Sequence, residues 1–316
     1  MKLVIQIPCY NEAVLLPTVL KSLPTAVAGI DEIDVVVIDD GSTDETSTVA
    51  QACGVRHVVH FSKNRGLARA FLAGIDAGIR LGADIIVNID ADNQYNPQDI
   101  EKLVQPICTG ACDITIGERP IRTSREFSFA KKMLQRLGSL VVRMVSRTTV
   151  PDAPSGFRAF SRDAALQMNI FSSYTYTLES IIQAGQKNMA IEAVPIRTNK
   201  TLRKSRLVKS MIGYVVKSIM TIVRIFVVYK PFAFFLTLGT TLFIAGAGLG
   251  VRYLVYCFLG SGRGHIQSVI LASILLVAGF QTVLVAFLAD LLAVNRKLLE
   301  DIQYRIRRQE STKEKI

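Results

Sequence analysis

Carboxylate and amide side chains recur in three short motifs in the first third of the chain, and each motif follows an apolar run. The motifs are Pro8–Glu12 (PCYNE), Asp39–Asp44 (DDGSTD) and Asp90–Gln94 (DADNQ). Hard oxygen donors of this kind suit Mg²⁺ or Mn²⁺ and phosphate groups that share the metal. The order of the motifs therefore predicts a nucleotide with metal-bound phosphates, held at the edge of a sheet.

The third motif carries the metal prediction. Asp90, Asp92 and Gln94 stand at positions i, i+2 and i+4, so their side chains share one face if the strand continues through them. Two carboxylates this close repel each other unless a cation or a proton lies between them. A DxD pattern also arises by chance, but the apolar run Ile85–Ile89 before it favours a site. We therefore expect Asp90, Ala91, Asp92 and Gln94 around a metal-bound diphosphate.

The first two motifs predict the nucleotide contacts. Asp39 and Asp40 end an apolar run, where a carboxylate can accept a hydrogen bond from the imide N–H of uracil or guanine. Helix capping by Asp39 or Ser42 is the alternative interpretation, and it does not exclude binding. Tyr10 is placed to stack on the base and Glu12 to hold a ribose hydroxyl, while Pro8 ends the strand and shapes the turn.

Strand-like and helix-like segments alternate around these motifs. The strand-like runs are Leu3–Ile7, Ile33–Ile38, Val55–Phe61, Asp84–Ile89 and Asp113–Ile116. Segments with helical spacing lie between them at Ala13–Leu23, Asp44–Ala52 and Gly66–Leu81. This alternation predicts an α/β fold with a mostly parallel sheet, in which ligands gather at the carboxyl ends of strands. Ser42 and Glu45 resemble a capping box, which predicts that the second helix begins there.

The C-terminal third is far more apolar than the rest. The chain has 316 residues, of which 50% are hydrophobic, and a mean hydropathy of +0.33. Phe232–Val251 and Ile266–Ala289 carry no charge and are each long enough to cross a bilayer. We expect Cys257–His265 to form a short Gly-rich turn between them. We predict a transmembrane hairpin; the alternative, a buried helical hairpin of a soluble protein, fits two spans of this length poorly.

The chain has a net charge of +11, and its basic residues are concentrated on either side of these apolar segments, in Arg197–Lys230 and Arg296–Lys315. That distribution is typical of a cytoplasmic membrane face and disfavours nucleic acid as the partner. Residues 207–230 have the pattern of an amphipathic helix in the membrane interface, with a surface helix of the soluble domain as the alternative. The odd, scattered set of five cysteines indicates free thiols in a reducing compartment. We expect the N-terminal domain and both termini in the cytoplasm.

The ordered set of motifs resembles a known family. PxYNE, DDGSxD, Asn64-x-Gly66 and DADxQ, in this order, are similar to family 2 glycosyltransferases of the GT-A fold. Asp152–Arg158 (DAPSGFR) resembles the D-x-x-SGFR segment of the polyprenyl-phosphate glycosyltransferases, the group that includes dolichol-phosphate mannose synthase. Arg203–Arg206 resembles their R-x-x-SK segment before the membrane part, although it is shorter and ends in Arg. The resemblance covers nearly the whole chain.

The resemblance implies an inverting transfer of one sugar (mannose, glucose or N-acetylglucosamine type) from a UDP- or GDP-sugar to a polyprenyl or dolichyl phosphate. It assigns nucleotide contacts to four residues: Pro8, Tyr10, Glu12 and Asp40. It assigns the metal and diphosphate to Asp90, Asp92 and Gln94, and the acceptor phosphate to Arg119 and Arg203. The DADxQ motif continues with Tyr95, where the family usually has a His. A second cation for the acceptor phosphate stays open between Lys131, Lys132 and Arg136.

The predicted organisation has four parts. Residues 1–206 form the catalytic domain, 207–230 the interface helix, 231–292 the hairpin (spans about 232–251 and 266–289) and 293–316 a basic cytoplasmic tail. Two alternative functions stay open. A processive polysaccharide synthase is disfavoured because it needs a QxxRW segment and more spans, and this chain has no Trp. A non-catalytic membrane adaptor for a nucleotide sugar or lipid has no need of metal ligands. A homo-oligomer is compatible with either.

Overall fold

The computed structural model describes residues 1–120, 143, 146, 148, 150–170, 176–199, 220, 223–224, 227–259 and 266–313. The chain divides into two compact units. The first comprises Met1–Ser218 together with Glu300–Ile316, and the second is Ile219–Leu299. The first unit contains all three sequence motifs, and the second contains most of the apolar C-terminal part.

The first unit is built on a mixed sheet of seven strands in the order β3-β2-β1-β4-β6-β5-β7. The strands are β1 Lys2–Cys9, β2 Glu32–Asp39, β3 His57–His60, β4 Ile85–Asn88, β5 Ile114–Glu118, β6 Arg158–Ser161 and β7 Ile191–Pro195. Every neighbouring pair is parallel except the two pairs that include β6. This architecture confirms the predicted α/β fold with a mostly parallel sheet.

Six helices of the described residues belong to this unit: α1 Leu16–Ser22, α2 Thr46–Ala52, α3 Leu67–Arg80, α4 Ile100–Cys108, α5 Arg162–Gln167 and α6 Thr177–Gln186. The predicted capping box is wrong, because α2 begins at Thr46 and Ser42 lies outside it. The hydroxyl of Ser42 instead accepts a hydrogen bond from the backbone N–H of Asn11. Ser42 therefore joins the turns that follow β1 and β2, whereas the local sequence pattern predicted that it would cap α2.

Helix α3 lies close against the sheet because it carries small residues where it meets the strands. A Cβ added at Gly74 would lie 2.1 Å from Oε1 of Gln6, and one at Gly78 would lie 2.7 Å from Cδ1 of Ile86. The strands beneath are almost fully buried, as expected for β-branched runs covered on both faces. Close packing at these two glycines fixes the helix over β1 and β4.

The strand register brings the motifs to one edge of the sheet. Cys9 pairs with Asp39 in the parallel β1–β2 pair, so the turns after these two strands leave the sheet side by side. Strand β6 runs the other way, and its first residue, Arg158, pairs with Asn88 at the end of β4. The loop that precedes β6 therefore reaches the same edge as the loop that follows β4.

The second unit contains α7, Pro231–Phe258, and most of α8, which runs from Ile266 to Lys313. Both are long and apolar enough to cross a membrane. They pack through small residues, since a Cβ at Gly239 would lie 2.9 Å from the carbonyl oxygen of Gly279. Two apolar helices thus match the predicted spans, although α7 extends into the segment predicted as the turn.

The other C-terminal predictions are described only in part. Most of the predicted interface helix, 207–230, lies outside the described residues; those described at 220, 223–224 and 227–229 are helical. The predicted basic tail, 293–316, is helical as far as Lys313. Arg307 on this helix pairs with Asp76 of α3 at 3.1 Å, and its Nη1 donates to the carbonyl of Met168 at 2.8 Å, which attaches the end of α8 to the first unit.

Candidate active site

Two turns at the ends of β1 and β2 hold each other in place. The backbone N–H of Asn11 donates to Oγ of Ser42 at 2.9 Å, and that of Glu12 donates to Oγ1 of Thr46 at 3.0 Å. Asn11 has a φ of 55°, in the left-handed region that Asn tolerates better than most residues. Tyr10, with 40% of its surface exposed, and the buried Glu12 flank this turn. The predicted base-stacking and ribose-binding side chains thus lie on a preformed turn next to the second motif.

Asp39 is buried and already hydrogen-bonded by the protein. One oxygen accepts from the backbone N–H of Ser42 at 2.9 Å, and the other accepts from the hydroxyl of Ser47. That second oxygen also lies 3.1 Å from Nδ1 of His60, which ends β3. Burial alone would raise the pKa of Asp39, but these hydrogen bonds outweigh it and lower the pKa. Asp39 therefore stays ionised and ties the β2 end to α2 and β3.

Asp40 holds the loop that contains the Asn64-x-Gly66 motif. Its two carboxylate oxygens accept the backbone N–H groups of Arg65 at 2.7 Å and Gly66 at 2.9 Å. The neighbouring Gly41 has a φ of 67°, and a Cβ there would lie 2.3 Å from the carbonyl carbon of Lys63. Burial raises the pKa of Asp40 despite the two backbone donors. Each oxygen keeps a lone pair, so Asp40 can still accept a hydrogen bond from a base.

The loop after β4 differs from the prediction. The strand ends at Asn88, and the residues of the DADNQ motif form a turn in which Asn93 has a φ of 57°. The side chain of Asp92 accepts the backbone N–H of Gln94 at 3.0 Å, which closes the turn. The expectation that a continuing strand aligns the three side chains on one face is therefore wrong. Local hydrogen bonding by the Asp side chain competes with the extended conformation.

A short segment after β7 contacts this turn. The backbone N–H of Asn199 donates to the carbonyl of Gln94 at 2.9 Å, and its side-chain amide donates to the carbonyls of Asn93 and Tyr95. An isolated antiparallel bridge joins Tyr95 and Thr198. The motif loop thus has a second attachment, remote in sequence, that fixes its conformation.

Asp90 lies against the peptide of Gly156. A Cβ added at Gly156 would lie 2.7 Å from Oδ2 and 3.2 Å from Oδ1 of Asp90, so only glycine allows the carboxylate to approach this closely. Burial, and then the charge of Asp92, raise the pKa of Asp90 to about 7. Among the described residues, no group of three His, Cys, Asp or Glu side chains gathers at one point. Asp90 and Asp92 supply two carboxylates, so a metal here needs further oxygens from a ligand.

Arg119 forms a bidentate ion pair with Asp152 close to the carboxylate of Asp90. Its Nε donates to Oδ2 of Asp152 at 2.7 Å and its Nη2 to Oδ1 at 2.9 Å. Burial opposes the charge on Arg119, but the bonds from Asp152 and the charge of Asp90 raise its pKa. In turn, the charge of Arg119 acts to lower the pKa of Asp90. Since a guanidinium has several N–H groups, Arg119 retains donors for a second anion.

A fully buried arginine shapes the loop that carries Asp152 and Gly156. Arg158 donates to the carbonyls of Ala153 and Ser155, each at 2.7 Å, and so clamps the loop onto its own side chain. It also donates to the carbonyl of Thr177 at 2.7 Å and to the hydroxyl of Ser180 at 2.6 Å, both on α6. Burial lowers the pKa of Arg158 to about 10, which still leaves it charged at neutral pH.

The structure brings most of the predicted residues to one edge of the sheet, in two groups. Asp39 and Asp40 lie with the Tyr10–Glu12 turn, while Asp90 lies with Arg119. Arg203 is outside the described residues, and so are the three candidates for a second acceptor cation, Lys131, Lys132 and Arg136.

Among the side chains that contact these groups and that sequence reasoning missed are His60, Asn88 and Tyr176. His60 lies inside the predicted run Val55–Phe61 and ends β3, so its place in the register could have indicated a role beside Asp39. Asn88 is a polar residue inside an apolar run, which is a usable signal, since buried polar groups require partners. The sequence contains no comparable signal for Tyr176.

A mixed α/β sheet with carboxylate motifs at the carboxyl ends of its strands, followed by two apolar helices, indicates the class of protein. Residues 4–167 match the model of glycosyl transferase family 2, and the chain belongs to that family. Of the solved structures, glucosyl-3-phosphoglycerate synthase from Mycobacterium tuberculosis, in complex with Mn²⁺, UDP and phosphoglyceric acid, is similar with a TM-score of 0.55 and 22% identity. That match covers 70% of this chain and 78% of the other, and it confirms the predicted GT-A fold.

Two curated relatives refine the comparison. The undecaprenyl-phosphate mannosyltransferase of Micrococcus luteus is 29% identical over 69% of this chain and 93% of its own length. The UDP-N-acetylglucosamine–dolichyl-phosphate N-acetylglucosaminyltransferase of Methanococcus voltae is 29% identical over 66% of this chain and 90% of its own. Their names share a polyprenyl-phosphate acceptor and differ in sugar and lipid. The resemblance to polyprenyl-phosphate glycosyltransferases is confirmed.

Proposed function

We propose that this protein transfers one sugar from a nucleoside diphosphate sugar to the phosphate of a membrane polyprenol. One observation carries the proposal: an anion-binding arginine, Arg119, lies beside the buried carboxylate of Asp90 at the edge where the nucleotide motifs meet. A cation for a phosphate acceptor next to a carboxylate for a metal-bound diphosphate is the pairing that such a transfer needs. Both relatives act on polyprenyl phosphates by name.

The donor nucleotide occupies the first group of residues. Tyr10 stacks on the base, Glu12 holds the ribose, and Pro8 shapes the turn between them. Asp39 and Asp40 face the base from the end of β2, with the loop at Gly66 fixed by Asp40. The protein's own hydrogen bonds hold these turns, so we expect little ordering when the nucleotide binds.

A divalent cation fits the second group. Asp90, Asp92 and Gln94 offer hard oxygen donors, and the mutual repulsion of the two carboxylates favours a cation between them. The diphosphate of the donor would supply the further oxygens that such a cation needs. When bound, Mg²⁺ or Mn²⁺ neutralises negative charge on the leaving diphosphate. The arrangement suits either ion.

The acceptor phosphate lies at Arg119, with Arg203 as the expected second cation. A phosphate monoester carries close to two negative charges near neutral pH, so its oxygen attacks without a general base. The new bond joins that oxygen to the anomeric carbon of the sugar. The bond from the anomeric carbon to the diphosphate breaks, and its electron pair leaves with the nucleoside diphosphate. A single displacement inverts the anomeric centre.

The two apolar helices place this chemistry at a membrane, where a polyprenol is dissolved. Both exceed the length that a bilayer requires. We propose two spans, with the catalytic domain and both termini on the cytoplasmic side, because basic residues flank both spans.

The direct test uses the purified full-length protein in detergent with Mn²⁺ and a polyprenyl phosphate. A panel of UDP- and GDP-sugars is offered, and the released nucleoside diphosphate is measured with and without acceptor. The expected result is acceptor-dependent release from one donor, with the lipid-linked sugar recovered in equal amount. Release without acceptor indicates hydrolysis and the wrong lipid. No release from any donor, with bound nucleotide sugar detected, would instead support the membrane adaptor.

A further inference from the structure

The Gly156 peptide, against which Asp90 lies, is held on both sides by buried side chains. Its N–H donates to the hydroxyl of Tyr95 at 3.0 Å. Its carbonyl accepts from the amide of Asn88 at 2.9 Å and from the hydroxyl of Tyr176 at 3.1 Å. The end of β4, the loop that follows it and the N-terminus of α6 therefore converge on one peptide group.

The groups that hold this peptide are themselves oriented. The amide of Gln6 donates to Oδ1 of Asn88 at 2.9 Å, which turns the NH₂ of Asn88 toward Gly156 and toward the hydroxyl of Tyr176 at 2.8 Å. The ring of Tyr176 stacks on Phe71, with centroids 3.9 Å apart. These side chains are almost completely buried. Rigid rings and a directed amide thus fix where the Gly156 peptide lies.

The position of this peptide decides the position of the Asp90 carboxylate. A Cβ at Gly156 would lie 2.7 Å from one carboxylate oxygen of Asp90 and 3.0 Å from the hydroxyl of Tyr176. The carboxylate of Asp90 therefore packs against the Cα of Gly156. The buried side chains around that peptide are closely packed and cannot move far. A shift of the peptide by a fraction of an ångström moves the carboxylate with it.

We propose that Tyr95 and Tyr176 are positioning residues, which hold the Gly156 peptide as the support of the Asp90 carboxylate and thereby set the affinity for the divalent cation. Tyr95 directly follows the DADNQ motif, so it links the metal loop to the loop before β6. This inference rests on the metal site of the proposed function. It gives a use to the one residue in the motif region that departs from the pattern the chain resembles.

The first test is Tyr95→Phe, which keeps the ring packed on Phe157 and removes only the hydroxyl. Full-length variant and wild type in detergent are titrated with Mn²⁺, and free Mn²⁺ is followed by electron paramagnetic resonance. The expected result is roughly tenfold weaker Mn²⁺ binding, the effect typical of partners that orient metal ligands. Tyr304→Phe, which removes a hydroxyl from α8, is the matched control and should bind Mn²⁺ as the wild type does.

Activity gives a second readout that separates positioning from general damage. In the transfer assay, Tyr95→Phe should need more Mn²⁺ for half-maximal rate, recover turnover at saturating Mn²⁺, and keep the acceptor KM unchanged. Damage to the fold would lower turnover at every Mn²⁺ concentration. Unchanged Mn²⁺ affinity in Tyr95→Phe, or a loss that excess Mn²⁺ does not restore, would overturn the proposal.

Two further variants keep the test decisive. If Tyr95→Phe does not fold, Tyr176→Phe is measured in the same way, since its ring can stay stacked on Phe71. Gly156→Ala should weaken Mn²⁺ binding most, because its methyl group occupies the place of the carboxylate. A wild type that binds no Mn²⁺ overturns this inference and the metal assignment, while the transfer assay decides separately whether sugar is transferred. A wild type that binds Mn²⁺ but transfers no sugar contradicts the proposed function, while the comparison of Mn²⁺ affinities still decides the role of Tyr95.

Discussion

The two groups of carboxylates at the sheet edge are stabilised in different ways. The hydrogen bonds to Asp39 and Asp40 come from backbone N–H groups and a serine hydroxyl, with the imidazole of His60 beside Asp39. Asp90 instead lies near two charged groups: burial and then Asp92 raise its pKa, and Arg119 acts to lower it. All three carboxylates lie at or just beyond the ends of strands of one sheet, and of the three, Asp39 and Asp40 accept hydrogen bonds from backbone N–H groups of turns.

We therefore distinguish two groups. Asp39 and Asp40 form the first, which we call the frame, and the residues around Asp90 form the second, the proposed reactive site. Hydrogen bonds from turns and loops satisfy Asp39 and Asp40, so these two carboxylates shape the turns that we propose receive a base. In the proposed function, the charges beside Asp90 would be compensated by a divalent cation and phosphates. Substitutions in the first group should therefore act on stability and donor binding, whereas those in the second should act on turnover and acceptor binding.

The largest effect is expected for Asp92→Ala. Removing one of two metal carboxylates should lower turnover roughly a hundredfold or more, comparable to the loss of a group that stabilises transition-state charge. The measurement is sugar transfer as a function of Mn²⁺ concentration, with the exposed Asp301→Ala as the control. Intact turnover with Mn²⁺ present would show that the metal assignment is wrong.

Arg119→Lys tests the acceptor side of the second group. A lysine cannot reproduce the two-pronged bond to Asp152, so the cation should shift and the acceptor KM rise roughly tenfold, with the donor KM unchanged. Steady-state kinetics with each substrate varied in turn would measure the split. Arg305→Lys, which alters an exposed pair with Asp301, is the matched control. An equal rise in the donor and acceptor KM values would show that Arg119 supports the site structurally and does not act on the acceptor alone.

Asp40→Asn tests the frame with the charge removed and the shape kept. The NH₂ group of the new amide cannot accept a hydrogen bond, so the backbone N–H of Arg65 or that of Gly66 loses its hydrogen-bond acceptor. Leaving that N–H unpaired should lower the free energy of unfolding by about 1–3 kcal/mol. We expect a lower thermal midpoint and a higher donor KM, while the acceptor KM stays the same. Thermal unfolding and donor titrations would detect these changes. A change in the KM for the polyprenyl phosphate alone would contradict the division into two groups.

His60→Ala should have the smallest effect, about 0.5–1.5 kcal/mol for one hydrogen bond. Since partners lower the folded-state pKa of Asp39, its stabilising contribution exists above the ordinary carboxyl pKa and disappears as pH falls through the folded-state pKa. Losing His60 raises that folded-state pKa, so acid unfolding should begin at a higher pH. Unfolding followed against pH would test this, and an unchanged acid midpoint would exclude a contribution of His60.

The order of motifs was predictable because each is a local pattern at the end of an apolar run. Strand-like periodicity located β1 to β5, and parallel strands that share an edge place their following loops together. The two missed strands, β6 and β7, are short. Strand β6 is also antiparallel and lies between β4 and β5, an order that periodicity along the chain does not encode.

The sequence by itself determined the family, the α/β class and the two long apolar segments, and it predicted the carboxylates and Arg119 as site residues. Only the tertiary structure decided how they are held: that Asp40 binds the Gly66 loop, that Asp152 pairs with Arg119 and that Gly156 supports Asp90. Residue type and spacing specify chemistry that is local to a segment. Hydrogen bonds between segments remote in sequence depend on which loops meet at the sheet edge, and that is settled by strand order and by the burial of polar groups that must find partners.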